Sequence, residues 1–223
     1  MAVLKTSFNS NPNLGLYGYA TDKYVLVGNE VPQQFIEEFE RVFAVPVHKL
    51  NIAGTSMLGV FLTGYKDTLL VPHIAFDYEL EQLDKLKIKY KVFKSDLTCL
   101  GNNIIFNKKY ALVNPEFSDN EIKELKELLG VTVKRMSIAE TDALGSSIVL
   151  RGNYGLINRD ASKEEVNTIE KALKVKLTLG SINMGSPYVK SGILCNKNGF
   201  IVGDLSGGPE LVNAEEALGY LDN

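Results

Sequence analysis

Four side chains of this sequence could do covalent or metal chemistry by type alone: Cys99, Cys195, His48 and His73. A cysteine attacks as its thiolate and needs a base or an electropositive setting beside it. Cys195 stands late in the chain, yet no histidine follows position 73. His48 reads as part of a strand and His73 as the start of a helix, in two early segments, so neither is expected to meet Cys195. The cysteines lie 96 positions apart and form no CxxC pair, and two cysteines with two scattered histidines offer no metal-ligand spacing. The stretch GDLSGGPE (203–210) lacks the Gly-Lys-Ser/Thr that would reach phosphates and Mg²⁺, and reads as a flexible joint before a helix. No metal and no cofactor is expected.

Recognition by neutral polar groups is the other chemistry on offer, and it is written five times. The segments are NSNPNLG (9–15), AGTSMLG (53–59), LTCLGNN (97–103), ETDALGSS (140–147) and INMGSPY (182–188). Asn, Ser and Gly form turns, so each segment alone reads as a turn. Together they offer Asn11, Asn13, Thr55, Ser56, Asn102, Asn103, Ser146, Ser147, Asn183 and Ser186, interspersed with Met57, Val60, Met184 and Tyr188. A polar surface with a few apolar or aromatic anchors is the composition of a protein-binding patch. Asn102 could equally be a left-handed turn residue, and Tyr188 could pack on a neighbouring unit.

The elements that must position these segments repeat with them. Anchoring glycines fall at Gly15, Gly59, Gly101, Gly145 and Gly192, at spacings of 44, 42, 44 and 47. After each come two short apolar stretches separated by a turn (ATDK, TGYKD, NKK, RGN or NKNG), which is the pattern of a β-hairpin. The turns carrying Lys66, Lys108 and Lys109 read as a solvated opposite face. A helical pattern follows in every unit, with capping boxes Ser118/Glu121 and Ser162/Glu165 and a fifth cap read at Asn213 with Glu216. A further strand then completes β-β-α-β. The units run about 9–52, 53–96, 97–139, 140–181 and 182–223, as one domain over 1–223. The last unit lacks its final strand, and AVLKTSF (2–8) is the piece that could supply it and close a ring with no exposed sheet edge. Ring closure would put all five polar segments on one face.

Composition narrows the partner. Net charge is −3, and the 24 cationic residues include only four arginines, Arg41, Arg135, Arg151 and Arg159. Arg is the usual instrument for bidentate reading of phosphate and bases, so broad nucleic-acid binding is disfavoured. No apolar run approaches a membrane span, and the start resembles no signal peptide. With no N-x-[ST] sequon and no paired cysteines, a reducing, cytoplasmic setting is expected.

The opening MAV, NIAGTSMLG (51–59), LLVP (69–72), LGN beginning at Leu100 and ALVNP (111–115), set on five β-β-α-β units, resemble the translation initiation factor 6 family, and its archaeal type in particular. The resemblance covers nearly the whole chain. It implies an α/β pentein fold, a five-bladed α/β propeller with pseudo-fivefold symmetry, here with the ring closed by the N-terminal strand. It further implies a monomer that binds the large ribosomal subunit on its intersubunit face, chiefly through a basic ribosomal protein near the sarcin-ricin loop with limited direct rRNA contact. Ribosome-contacting positions of the family fall at Met57, Val60, Asn102, Ser147 and Tyr188. Pentein folds also host guanidino-group hydrolases and amidinotransferases with a late cysteine nucleophile, which keeps Cys195 as the alternative.

Overall fold

The computed structural model describes residues 2–65, 67–107 and 110–221, so the sequence-predicted solvated lysines Lys66, Lys108 and Lys109 lie outside the described residues. Among the described residues, fifteen strands form five three-stranded sheets, the blades of an α/β propeller. Blade 1 holds β2 (Gly18–Ala20), β3 (Val25–Val27) and β4 (Val47–Lys49), and blade 2 holds β5 (Thr63–Tyr65), β6 (Thr68–Pro72) and β7 (Lys89–Phe93). Blade 3 holds β8 (Ile104–Asn107), β9 (Tyr110–Val113) and β10 (Thr132–Arg135), and blade 4 holds β11 (Ile148–Arg151), β12 (Tyr154–Asn158) and β13 (Lys176–Gly180). Blade 5 joins β14 (Ile193–Cys195) and β15 (Gly199–Gly203) to β1 (Ala2–Thr6), which runs parallel to β15 from Ala2↔Gly199 to Thr6↔Gly203. The N-terminal strand therefore closes the ring.

Each central strand is covered on both sides, which is why it reads as an unbroken apolar run such as VLV, TLLV or FIV. The outer edges carry lysine instead: Lys89 and Lys91 of β7 and Lys134 of β10 are exposed there and discourage pairing with another chain. Five long helices, Gln33–Phe43, Asp77–Lys85, Asp119–Leu129, Lys163–Leu173 and Gly208–Ala217, cross from the second to the third strand of their units. Each seals the seam between its own blade and the preceding one. Ile122 and Leu125 of the third helix, for example, pack with Tyr65 and Leu70 of blade 2 and with Ile104 and Val113 of blade 3. The seam between blades 5 and 1 is filled by Phe8, Phe39 and Phe43 against Leu194 and Ile201.

The capping boxes at Ser118 and Ser162 form as their spacing predicts, with Ser118 Oγ accepting from Glu121 N and Ser162 Oγ from Glu165 N. The fifth helix differs from the expectation. It starts after Gly207, with Pro209 in its first turn and Glu210 as the third helical residue. Asn213, expected as its cap, lies mid-helix and donates from Nδ2 to the Leu179 carbonyl at 3.1 Å. Pro at the first turn supports helix entry because its missing N–H would be unpaired there anyway, so GGPE is the start of the helix rather than a joint before it. His73 sits in the turn after β6 and does not start a helix.

Candidate functional site: the axial platform

Before each blade's first strand the chain makes one helical turn: Leu14–Leu16, Leu58–Phe61, Leu100–Asn103, Leu144–Ser147 and Val189–Gly192. In units 1 to 4 these turns hold the Leu-Gly pairs of the polar segments. They ring the axis, and their glycines are demanded by close approach. A Cβ on Gly59 would overlap the carbonyl of Gly15, one on Gly101 that of Gly59, and one on Gly145 that of Gly101. The fifth position breaks the series. A Cβ on Gly15 would meet the carbonyl of Lys190, whereas one on Gly192 would run into Ile182 and Asn183. Lys190, one residue into its turn as Gly15, Gly59, Gly101 and Gly145 are into theirs, is thus the fifth member. The register assigned to Gly192 from sequence is two residues late, and the irregular spacing of 47 becomes 45.

Among the described residues Lys190 places the one cation of the axis. Its ammonium donates to the Gly101 carbonyl across the ring. The residue as a whole is half-buried, and burial of the ammonium lowers its pKa from 10.5 to about 8. The charged form is therefore the one the fold disfavours. Below pH 8 both folded and unfolded chains are protonated and the penalty is complete; between pH 8 and 10.5 only the unfolded chain holds the proton, so stability rises with pH. The shift corresponds to about 3 kcal/mol at neutral pH, from which about 1 kcal/mol is returned by the hydrogen bond to Gly101. Lys190→Met is accordingly expected to raise Tm at pH 7 by roughly 4 to 8 °C. Melting curves should show that gain shrinking as pH climbs from 8 toward 10.5; a variant less stable than the parent at pH 7 would contradict this account of the axis.

Outside the ring, four of the five loops turn back on themselves through consecutive left-handed residues: Asn9–Ser10, Ala53–Gly54, Ala139–Glu140 and Asn183–Gly185. Each is closed by a two-residue bridge, Phe8↔Asn11, Ile52↔Thr55, Ile138↔Thr141 and Ile182↔Ser186. Helix carboxylates hold three of them. The fully buried Glu79 accepts from Ala53 N and Gly54 N at 2.7 and 2.9 Å, Glu165 from Ala139 N at 2.9 Å, and Glu210 from Gly185 N at 2.8 Å. Burial alone would raise Glu165 and Glu210, but the N–H and hydroxyl donors around them hold both carboxyls below the usual range. These glutamates went unnoticed as loop supports because a capping box announces only its local bond, not the reach to a loop some 26 residues away.

Asn13, Asn102, Ser146, Ser186 and Tyr188 come together, with Gly59, around one depression of about 300 Å³ to which all five units contribute. Asn102 is helical there rather than left-handed. Met184 is 80% exposed and Tyr188 48% exposed, making them the apolar anchors of this face. The remaining candidates are occupied in holding it. Asn11 bridges Tyr17 OH and Asn13 N, Thr55 Oγ1 accepts from Met57 N, and Asn183 Nδ2 donates to Pro12 O. Met57 is half-buried at the start of its turn. Ser56, Val60, Asn103 and Ser147 are buried, so they reach a partner only by positioning exposed neighbours. Asn103, for instance, donates to Cys99 O and accepts from Asn114 Nδ2 at 2.8 Å.

Cys195 ends β14 on the far side of the ring, its thiol pushed up to about 12 by burial and directed at the Leu150 carbonyl 3.8 Å away. His48 lies on β4, paired with Leu26 in blade 1, and His73 follows β6 in blade 2. The structure does not bring them together with the cysteine in one blade.

The five-bladed arrangement is shared with solved pentein-fold structures. A dimethylarginine dimethylaminohydrolase matches with a TM-score of 0.55 at 12% identity, over 75% of this chain and 68% of that one. The N-terminal domain of ArgZ matches with 0.53 at 14%, over 75% and 67%. At such identities the likeness is one of fold. In sequence, the chain is 38% identical over 228 residues to translation initiation factor 6 of Thermococcus onnurineus, covering all of both chains. It is 43% and 44% identical over 227 residues to the proteins of that name from Pyrococcus furiosus and Thermococcus gammatolerans, covering 99% of this chain and all of each relative. The family model described as eIF-6 matches residues 3–217, which span every blade and the closing strand. By model and by full-length relatives alike, the chain belongs to the eIF-6 family.

Proposed function

We propose that this protein is a non-enzymatic translation initiation factor that docks its axial platform on the intersubunit face of the large ribosomal subunit and thereby blocks the small subunit from joining. The convergence of five loops, one from each unit, on a single face carries this reading. Exposed acids outnumber bases around the platform: Glu30, Asp96, Glu116, Asp142, Asp160 and Asp204 stand in loops or strand-to-helix joints on that side, beside Lys94 and Arg159. Such a rim favours a basic protein over bare rRNA, because like charge opposes the latter. The main contact is accordingly a basic ribosomal protein near the sarcin-ricin loop, met by a cytoplasmic monomer. Occupancy alone performs the function, since a disc seated where the subunits meet excludes the partner without chemistry.

Co-sedimentation with purified subunits in sucrose gradients tests the reading: the protein should travel with large subunits and deplete joined ribosomes. Its salt dependence should be shallow. A binder contacting about 6 to 10 phosphates loses roughly 10³ to 10⁵ in affinity between 50 and 200 mM salt, and much less is expected here. A slope in that range would transfer the main contact to rRNA. The alternative, a guanidino-group hydrolase or amidinotransferase using Cys195, requires turnover of arginine analogues that disappears in Cys195→Ala.

A further inference from the structure

Below the glycine ring, on the side away from the platform, the five first strands of the blades line an open axial chamber of about 210 Å³. Its lining mixes apolar side chains, Ile105, Phe106, Leu150 and Leu194 among them, with polar groups of the backbone and of Thr63. Two further polar side chains bear on what it could hold. Lys190 stands in the ring at its end, and Tyr19 lies along one side with its hydroxyl against Gly64, whose missing side chain makes the room. Among the described residues no carboxylate lines the chamber, and its titratable side chains are Lys190, Tyr19 and Cys195. An ammonium has three donors; among the described residues only one of those of Lys190 is used, toward Gly101, and the Tyr19 hydroxyl has no hydrogen-bond partner. A cation taken out of water without a counter-charge is costly, and unmet donors beside a cavity with no carboxylate select for an anion that brings its own acceptors.

We propose that the axial chamber binds a small organic anion, a carboxylate on a short apolar chain, with Lys190 and Tyr19 holding the carboxylate and the inner strands holding the chain. The volume lies below the roughly 300 to 1,000 Å³ of pockets for drug-sized ligands and suits an acid of a few carbons. The ligand makes one ion pair and one hydrogen bond, and it completes the desolvated ammonium. The chamber lies behind the platform and shares Lys190 with the depression there, but ligand binding is read on the isolated protein, so it stands or falls separately from the function proposed above.

Sodium butyrate is the probe, with sodium chloride at equal ionic strength and neutral butyramide as controls. In the parent protein at pH 7, butyrate should raise Tm saturably, by roughly 3 to 6 °C at ten times its Kd. Butyramide and chloride should leave Tm unchanged, and Lys190→Met should lose the butyrate effect. Nitrogen-15 NMR of the lysine ammonium groups in the parent protein gives a reading that needs no variant: the Lys190 signal alone should move with butyrate. No saturable rise above the chloride control, an equal rise in Lys190→Met, or an unmoved Lys190 signal would each overturn the proposal.

Discussion

Removing residues 1 to 8 is expected to unfold the propeller at temperatures where the full chain is stable. These residues contribute β1, every residue of which from Ala2 to Thr6 is registered on β15, and Phe8, which is only 3% exposed in the seam between blades 5 and 1. Ala2 and Leu4 pack on the same cluster. Loss of a buried phenylalanine side chain alone costs about 3 to 5 kcal/mol. Deletion also bares the edge of β15, an apolar strand buried along its whole length, and so creates a template for pairing with other chains. Total stabilities of domains are about 5 to 15 kcal/mol, so this loss takes most of what is available. Circular dichroism melting should show a Tm lower by more than roughly 10 °C or no cooperative transition, and size exclusion should show aggregates. A truncated protein that is monomeric with unchanged Tm would mean that ring closure contributes nothing. The single change Phe8→Ala should reproduce part of the loss without exposing the strand edge, separating the two causes.

The second large effect is on binding and leaves the fold standing. Asn102→Lys and Tyr188→Asp place charges at the mouth of the platform, on residues that are partly or half exposed and whose side chains make no hydrogen bond within the protein among the described residues. Substitutions at such positions usually change stability by less than about 0.5 kcal/mol. An unpaired charge enclosed at the centre of an interface costs several times as much, enough to weaken large-subunit binding by about a hundredfold or more. Asn153→Lys and Lys197→Glu are the matched comparators, because both positions are exposed in the hairpin turns of blades 4 and 5 on the opposite face. Subunit joining followed by light scattering should be released by the first pair and still blocked by the second, with Tm unchanged in all four. The reverse pattern would mean that the protein docks by its hairpin-turn face.

How much of this was legible in the residues follows from the range of the interactions involved. Period, hairpins, helices and closing strand rest on local alternation and on residues a few positions apart, and an approximate repeat states them five times. VLV, LLV and FIV identify the central strands because both faces of such strands must be covered. Ser118 and Ser162 marked their helices because a capping box is a bond between residues three apart. The same local signs placed the polar loops on one side of the ring, since equivalent loops of a closed array cannot lie elsewhere.

Tertiary structure decided which loop residues face outward and which hold the others. Asn102 and Asn103 are adjacent and identical in type, yet one lines the mouth and the other is buried on Asn114, because successive residues of a helical turn point about 100° apart. The role of Lys190 depended on register. Gly192 offered a fifth glycine, but the ring chooses by which backbone must approach a neighbour's carbonyl, and the deciding contact, Gly15 on Lys190, joins the first unit to the last. Whether its ammonium is hydrated or enclosed is set by four other units crowding one axis, a property of the assembled ring that no segment carries alone. The chain thus determines its repeat through contacts between near neighbours, while the chemistry at the axis exists only where five distant segments meet.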